Sequence, residues 1–266
     1  MLIDWGSTWL WDSLRIVGED NWLEETKHDR TCLDVTNGSY MKELYPDLCS
    51  AAFVLECSKD GGGDFGSFPE QSVAAGAYQG DLLGLMEIHL VLLAVNKVSP
   101  TLQRRAQINS YCMSALGTVS TIPTNRIPFW CKHSDILKNI MVNCWNLNFA
   151  CSYSHVISHQ DDDMAYQYLS RPYQLNCIMN YHAKKVFLGL EGLHLPSQDI
   201  FPLEPVAIFV GNKNMTSNTG DSLQFRVHQQ LAKEQLFKLD ILTPLGFKEV
   251  AWRLVYDTLH KLPRLF

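Results

Sequence analysis

The sequence predicts an α/β fold in which a mixed five-stranded sheet is flanked by helices. Three short apolar segments, each bounded by turn residues, come first and predict a meander of antiparallel strands at 31–40, 50–57 and 65–68. A stretch with apolar residues at helical spacing then runs over 74–95 and ends at a Ser-Pro breaker. From there strands and helices alternate, which is the pattern of an α/β domain.

The later elements complete the sheet and its cover. The segment 106–116 is predicted to be a strand that passes into a short helix. The segment 133–145 is predicted to be an amphipathic helix with Ser134 as its N-cap. A strand at 148–158 follows, and a long helix that ends near residue 185 closes the domain.

The two ends of the chain have a different texture. The first 30 residues are rich in tryptophan and are predicted to be a connector packed on the domain edge, with a short helix around 8–16. After residue 189 a proline-rich linker leads to a strand at 206–210 and to helices at 220–242 and 247–262. The predicted organisation is a connector, a domain, and a linker with a small C-terminal α/β extension that is mostly helical: 1–30, 31–189 and 190–266.

Length and composition indicate a soluble globular protein. The chain has 266 residues, 46% of them hydrophobic, which is enough to bury a sizeable core. Its longest apolar stretch, 82–95, is interrupted by Glu87 and His89 and is too short to span a bilayer. The first residues have acids and tryptophans where a signal peptide has a basic segment, so we expect an intracellular protein and no membrane partner. Eight scattered cysteines without a CxxC pair predict free thiols.

The charge limits the kinds of partner. A net charge of −6 argues against a general nucleic-acid coat protein, because phosphate binding draws on clustered lysines and arginines. It does not exclude a metal-dependent nuclease, because such an enzyme concentrates carboxylates in its site. A small local basic patch is then sufficient for the nucleic acid.

Four local motifs follow one another along the predicted domain. The strand end TNGSY contains Asn37, the helix start AYQGDLLGL contains Asp81, and the strand end NSYCMSAL contains Tyr111. The last motif, SHQDD followed by LNCIMNYHAKK, contains His159 and Asn180. In this order and spacing they resemble the ribonuclease H-like domain of retroelement polyproteins. The resemblance implies hydrolysis of the RNA strand of an RNA–DNA hybrid with Mg²⁺ as cofactor.

The chain departs from that family at the residues that would hold the metal. Hydrolysis with two metal ions needs several carboxylates that converge on hard cations. Asp34 lies three residues before Asn37 and points to the opposite face of a strand, so it is a poor substitute. We therefore expect catalysis to be lost or severely reduced and Mg²⁺ to be bound weakly or not at all. Four positions match the family's acidic ligands: Asn37, Asp81, Tyr111 and Asn180. Asp81 is the one acid among them and the sole candidate metal ligand.

The resemblance also assigns roles outside the metal ligands. His159 matches a loop histidine that assists product release or proton transfer, and with Asp81 it is a catalytic candidate. Asn176 matches a position that contacts the hybrid backbone, and Lys184 on the same helix is a second nucleic-acid-binding candidate. The acids at 161–163 could form a replacement metal cluster, although adjacent acids on a loop are usually solvated. Four lysines are candidates for a backbone-contacting patch: Lys132, Lys138, Lys184 and Lys185.

Other catalytic chemistries fit the sequence less well. His155 and His159 have the spacing of a zinc helix but span a strand-to-loop junction and lack the HExxH glutamate. Cys131, His133 and Cys144 could be ligands only if the fold were different. The triple glycine lacks a phosphate-loop lysine, and the serines lack the G-x-S-x-G elbow of a hydrolase.

Two alternatives to a nuclease remain open at this point. A non-catalytic nucleic-acid-binding or interaction domain derived from a retroelement would use the same surface. An enzyme of different chemistry on the same fold would have a pocket of converging polar groups away from Asp81. The sequence leaves the oligomeric state open.

Overall fold

The structure is a computed structural model that describes most of the chain between residues 31 and 189. The chain divides into two compact units, Met1–Ser217 and Asn218–Phe266. The predicted domain boundaries after residues 30 and 189 stay predictions. The described residues are 13–17, 31–57, 62–71, 75–98, 105–121, 127, 131–157, 160–189, 209–210, 213–214, 224, 227–231 and 234.

The main sheet has six strands within the described residues. The second, third and fourth strands form the predicted antiparallel meander. The fifth strand runs parallel to the second and the sixth parallel to the fifth, so the sheet is mixed and its order is β1-β4-β3-β2-β5-β6. The strands are β1 (Arg15–Val17), β2 (Thr31–Tyr40), β3 (Leu48–Cys57), β4 (Gly63–Gln71), β5 (Arg105–Ser110) and β6 (Cys151–His155).

The helices alternate with the last strands as predicted. The first begins and ends three residues later than the predicted 74–95, and a short 3-10 turn at Tyr166–Tyr168 precedes the last. Three antiparallel strands, helix, strand, helices, strand and final helix is the order of the ribonuclease H fold, and the chain has a ribonuclease H-like α/β fold. The helices are α1 (Ala77–Val98), α2 (Met113–Thr121), α3 (Ser134–Asn146), α4 (Gln160–Asp163) and α5 (Arg171–Leu188).

The C-terminal part is described at few positions. Phe209–Val210, within the predicted strand 206–210, forms β7 and pairs antiparallel with β8, Lys213–Asn214. In the second unit, residues 224, 227–231 and 234 are helical, as predicted for that segment. The predicted last helix lies outside the described residues.

The N-terminal segment corrects one prediction. Instead of ending a helix at 8–16, residues Arg15–Val17 form β1, in which Ile16 pairs with Asp64 of β4. The outer edge of β4 offers unpaired backbone groups, and an extended segment satisfies them where a helix would not. The sheet thus gains a short sixth strand from the predicted connector. The rest of the predicted helix, before Ser13, lies outside the described residues.

The predicted N-cap of α3 is also wrong. His133, not Ser134, is the N-cap, with a left-handed φ of 59° and no side-chain cap bond. The Ser134 amide donates to the Cys131 carbonyl at 3.0 Å, so a tight turn already places Ser134 in the helix. The His133 ring is buried beside Tyr78 at a ring separation of 5.7 Å. Burial of this ring, rather than a hydroxyl cap, fixes the helix entry.

Apolar layers cover both faces of the sheet. One cluster joins the sheet, α1 and α3, and contains Phe53, Ile108 and Ile140. The other joins β2 and β3 to α5, and contains Val35 and Met179. All eight cysteines are free thiols, as the sequence predicts. The sheet is therefore the middle layer, with α1 and α3 on one side and α5 on the other.

The helix α1 is the core helix of the fold. It is 22 residues long. Within the described part of the chain it is the one helix that is long and apolar enough to cross a bilayer, judged by length and composition alone. The predicted apolar stretch 82–95 covers only part of this helix. In the fold 94% of its most apolar 18 residues are buried, as in the core helix of a soluble protein.

The contact between α1 and β2 depends on facing glycines. A Cβ on Gly38 would lie 2.6 Å from the backbone carbon of Gly80 and 2.7 Å from the carbonyl oxygen of Ala77. A Cβ on Gly80 would lie 2.5 Å from the carbonyl oxygen of Ser50. Backbone atoms cannot yield as a flexible side chain does, so only glycine at both positions lets the start of α1 rest on the strand.

Replacing Gly38 tests this contact. We expect Gly38→Ala to lower the free energy of unfolding by about 1–3 kcal/mol, the usual effect of overpacking, as measured by urea unfolding. The matched control is Gly117→Ala in α2, where an added Cβ meets nothing within 4 Å. That change should raise stability by up to about 1 kcal/mol through helix propensity. Equal effects of the two substitutions would contradict the close packing described above.

Candidate functional site

The candidate site lies where the parallel pairing of β2 with β5 ends. Thr36 pairs with Ser110 at the end of that ladder, and the next residues are Asn37, which is still within β2, and Tyr111, which directly follows β5. The Tyr111 hydroxyl donates a hydrogen bond to the Gly38 carbonyl at 3.2 Å. Sites of α/β proteins form at the carboxyl ends of neighbouring strands. Two of the four positions singled out by the sequence meet at this edge.

The helix α5 covers the same edge with three polar residues. Asn176, Asn180 and Lys184 are each four residues apart and form one stripe along the helix. The Asn37 side-chain amide donates to the Asn176 side-chain oxygen at 3.3 Å, and each of these side chains is 4% exposed. The strand end and the helix are thus joined by a buried pair of carboxamides.

Contacts at both ends of α5 hold it in place. Arg171 at its start forms a forked ion pair with Glu56 of β3, with nitrogen-to-oxygen distances of 2.7 and 2.5 Å. Near its end the Ser50 hydroxyl donates to the Ala183 carbonyl at 2.7 Å. Charged forks of this kind are directional, so they fix the helix position along the sheet.

Between the strand ends and α5 lies a pocket of about 210 Å³. Asn37 and Tyr111 form its floor with the backbone around Gly38, and α5 forms one wall. The pocket therefore contains three of the four positions that match the family's acidic ligands, together with both nucleic-acid-binding candidates. Its lining includes Asn37, Tyr111, Asp161, Asn176, Asn180 and Lys184.

Asp81, the remaining acid, does not line the pocket. It is 1% exposed, and its Oδ1 accepts a hydrogen bond from the Gly38 backbone amide at 2.7 Å. Burial raises the pKa of Asp81 to about 7, and the neighbouring Gly38 amide, Cys112 thiol and Tyr111 hydroxyl lower it in part. The carboxyl group lies beneath the site and ties α1 to the end of β2.

The residues present do not fit a pair of Mg²⁺ ions. Asp81 is the one carboxyl group at the four aligned positions, and its oxygen is already bonded to Gly38. The side-chain oxygens of Asn37 and Asn180 could ligate a cation but bring no negative charge. Within the described part of the chain, no group of three His, Cys, Asp or Glu side chains is placed to hold a metal ion.

The other acids are not placed to replace the lost ligands. Asp34 is fully buried on the face of β2 that carries α1, near His89, and burial raises its pKa to about 7. The acids at 161–163 form the exposed helix α4, and of these Asp161 reaches the pocket. Partial burial raises the pKa of the neighbouring Cys177 thiol, and the Asp161 carboxylate raises it further.

The basic candidates are dispersed. His159 lies outside the described residues. Lys132 precedes α3 and Lys138 lies within it, and this helix is on the opposite side of the sheet from Lys184 and Lys185. The four lysines therefore do not form one patch, and Lys184 is the cation among the described residues that line the pocket.

Each of the candidate zinc ligands described below makes a different contact within the fold. A ring nitrogen of His155 lies 2.9 Å from the Tyr111 carbonyl, which holds the end of β6 beside β5. His133 is buried against Tyr78, and burial lowers its pKa to about 4. Cys144 lies 3.9 Å from the Tyr153 hydroxyl. Each of these side chains has a packing or hydrogen-bonding role in the fold.

Sequence reasoning missed two residues around the site. Cys112 lies close enough to Asp81 to influence its pKa, and Cys177 lies in the pocket wall beside Asp161. Cys177 was detectable, because it directly follows Asn176 on the predicted helix. Cys112 was not, because its contact with Asp81 joins elements whose relative position no local pattern gives.

Comparisons with known proteins give similarities of fold. No family model matches the sequence, and no curated protein matches it. Among solved structures, the protease-reverse transcriptase of prototype foamy virus is 13% identical, with a TM-score of 0.43 over 58% of this chain. The match covers 20% of that viral protein, so this chain spans about a fifth of its length.

Two single-domain ribonucleases match over nearly their whole length. RNase H1 from the halophilic archaeon Halobacterium salinarum is 12% identical, and the match covers 59% of this chain and 97% of that one, with a TM-score of 0.38. LC11-RNase H1, solved in complex with an RNA/DNA hybrid, is 8% identical over 59% of this chain and 99% of that one, with a TM-score of 0.41. The fold assignment itself follows from the strand order and helix positions described above.

Substitutions of Asp81 test its position beneath the site. Asp81→Asn keeps an oxygen that accepts the Gly38 amide proton, so we expect a free energy of unfolding within about 1 kcal/mol of the native chain at pH 5. Asp81→Ala leaves that buried amide without its partner and should lose about 1–3 kcal/mol more. Urea unfolding measures both.

A comparison of the native chain with Asp81→Asn at different pH values tests the pKa of Asp81. The folded protein holds this proton up to about pH 7, whereas the unfolded chain releases it near the ordinary pKa of 3.8. The native chain should therefore lose stability relative to Asp81→Asn as the pH rises through that window. A native chain that instead gains stability relative to the variant would show a charged, ligand-like Asp81.

Proposed function

We propose that this chain is a ribonuclease H-like nucleic-acid-processing domain that engages an RNA–DNA hybrid at the pocket. In this proposal its metal-dependent hydrolysis of the RNA strand is lost or severely reduced. The four sequence motifs support the choice of ligand, and they also support descent from a retroelement polyprotein. Eight free cysteines support a reducing, intracellular compartment.

One observation supports the loss of hydrolysis above all others. The single acid at the aligned positions, Asp81, is buried and hydrogen-bonded to the Gly38 amide instead of facing the pocket. A two-metal mechanism needs carboxylates around both ions to balance their charge. Here Mg²⁺ would have to enter a pocket lined by carboxamides, a phenol and Lys184, with Asp161 near the start of the short helix α4 as its acid.

Particular residues have proposed roles in hybrid binding. Asn176 and Lys184 line the pocket on α5, and both are proposed to contact the nucleic-acid backbone. His159 is proposed to act beside the same site, as the matching histidine of the family does in proton transfer or product release. Asp81 keeps a positioning role, because it holds the Gly38 segment in place.

A purely binding or interaction domain is the second candidate. The observation that favours it is the neutral character of Asn37, Tyr111 and Asn180 in the pocket. It predicts salt-dependent binding of hybrid with no cleavage under any divalent metal. The first candidate also allows a trace of metal-dependent cleavage.

The deciding experiment restores the acids. The native chain and a variant with all four aligned positions changed are incubated with labelled RNA–DNA hybrid in Mg²⁺ and in Mn²⁺. We expect the native chain to cut at a trace rate at most, and the variant to cut measurably, because the longer Glu at position 81 reaches beyond Gly38. The substitutions are Asn37→Asp, Asp81→Glu, Tyr111→Asp and Asn180→Asp.

Controls separate chemistry from folding. Circular dichroism and thermal unfolding establish that the variant is folded before its activity is compared. A variant with Asp34→Asn added should cut equally well, because Asp34 faces α1 on the other side of the sheet. A native chain that cuts as fast as the restored variant would refute the ligand assignment and direct attention to the acids at 161–163.

A further inference from the structure

We propose that the pocket binds a phosphate group directly through carboxamide N–H groups and the Lys184 ammonium, without a metal ion. This inference rests on the proposed function, because the phosphate in question belongs to the nucleic-acid backbone. It adds the chemistry by which a site without metal ligands holds its ligand. The position that would trap cations in the family becomes a site for an anion.

The neutral residues at the aligned positions change the sign of the charge that the pocket attracts. A carboxylate accepts hydrogen bonds and attracts cations, whereas an asparagine at the same place offers two N–H donors. Asn37 and Asn180 make this exchange at two aligned positions, and Tyr111 replaces a third acid with a neutral hydroxyl group. Mg²⁺ loses its ligands by these changes, and a phosphate oxygen gains donors.

The buried amide pair is oriented for donation. Asn37 uses one N–H to bond the Asn176 oxygen at 3.3 Å, which leaves the Asn176 NH₂ group with its donors available. Both side chains are 4% exposed, so water competes weakly for them. Hydrogen bonds are electrostatically stronger in such surroundings than in bulk water.

The helix α5 extends this donor set toward solvent. Asn180 lies one turn after Asn176, and Lys184 one turn later, so the stripe leads from buried amides to an exposed ammonium group. The Asp161 carboxylate also reaches the pocket, where it interacts with the Cys177 thiol. One cation and one anion nearly cancel, so the amide donors decide the preference and the affinity is modest.

The size of the pocket limits the ligand. Its volume of about 210 Å³ is below the range of about 300–1,000 Å³ that holds a drug-sized molecule. One phosphate group with a few waters fits, and a whole nucleotide does not. The phosphate could come from a nucleic-acid backbone or from free inorganic phosphate, which offer the same oxygens.

The test follows side-chain amide signals by NMR during titration of the full chain with inorganic phosphate, in buffer stripped of divalent metals. We expect the NH₂ signals of Asn176 and Asn180 to shift and saturate, while those of Asn146, outside the pocket, stay constant. Lys184→Gln should weaken the affinity about tenfold, the order expected for one hydrogen bond to a charged group. Pocket signals that stay unmoved in the native chain would overturn the inference.

The matched control is Lys185→Gln. Lys185 is the next residue and is also exposed, but it lies over the Tyr181 ring at 5.8 Å from its centroid and does not line the pocket. The Lys185→Gln substitution removes the same charge and should leave the affinity for phosphate within about twofold of the native value, since exposed charges act weakly at a distance. Equal losses in the two variants would indicate general attraction to surface charge and would overturn the inference.

Competition with an RNA–DNA hybrid separates the two sources of phosphate. If the hybrid displaces inorganic phosphate, the backbone is the ligand, and both the inference and the proposed function are supported. If it does not, the metal-free phosphate site stands and hybrid engagement at the pocket fails. Hybrid that binds only with Mg²⁺, and equally to both lysine variants, would overturn the inference while the proposed function survives.

Discussion

The close contact of α1 with the end of β2 is the constraint on which the rest of the structure depends. Gly38 and Gly80 allow the two backbones to touch, and the Gly38 amide donates to Asp81 at 2.7 Å. Gly84, one turn further along α1, lies against the Thr36 side chain. These contacts hold this part of β2 against α1, with Asn37 on the opposite face of the strand toward α5.

The same contact accounts for the chemistry of the site. In a nuclease of this fold an acid on the first helix would have to reach past the strand end to a metal. Asp81 is shorter than glutamate by one methylene, and its carboxyl group stops at the Gly38 amide. Asp81 therefore lies beneath the pocket and does not line it. The pocket is lined by side-chain amides, the Tyr111 side chain, Lys184 and Asp161.

Much of this arrangement could be predicted from local sequence patterns. The spacing of Asn176, Asn180 and Lys184 fixed their common helical stripe, and the alternation of strand residues placed Asp34 and Asn37 on opposite faces. What could not be predicted depended on partners distant in sequence. The acceptor role of Asp81 needs a backbone amide 43 residues away, which leaves no trace in residue type. The N-cap at His133 likewise depends on burial of its ring beside Tyr78.

We propose that the pocket holds its ligand through direct contacts and without a metal ion. Paramagnetic broadening by Mn²⁺ at stoichiometric concentration tests it most directly, because the effect falls steeply with distance from the ion. The backbone amide of Gly38 and the side-chain amides of Asn176 and Asn180 should keep their intensities relative to residues on the opposite side of the sheet. Selective loss of these three signals at one equivalent of Mn²⁺ would show a metal in the pocket and contradict the account.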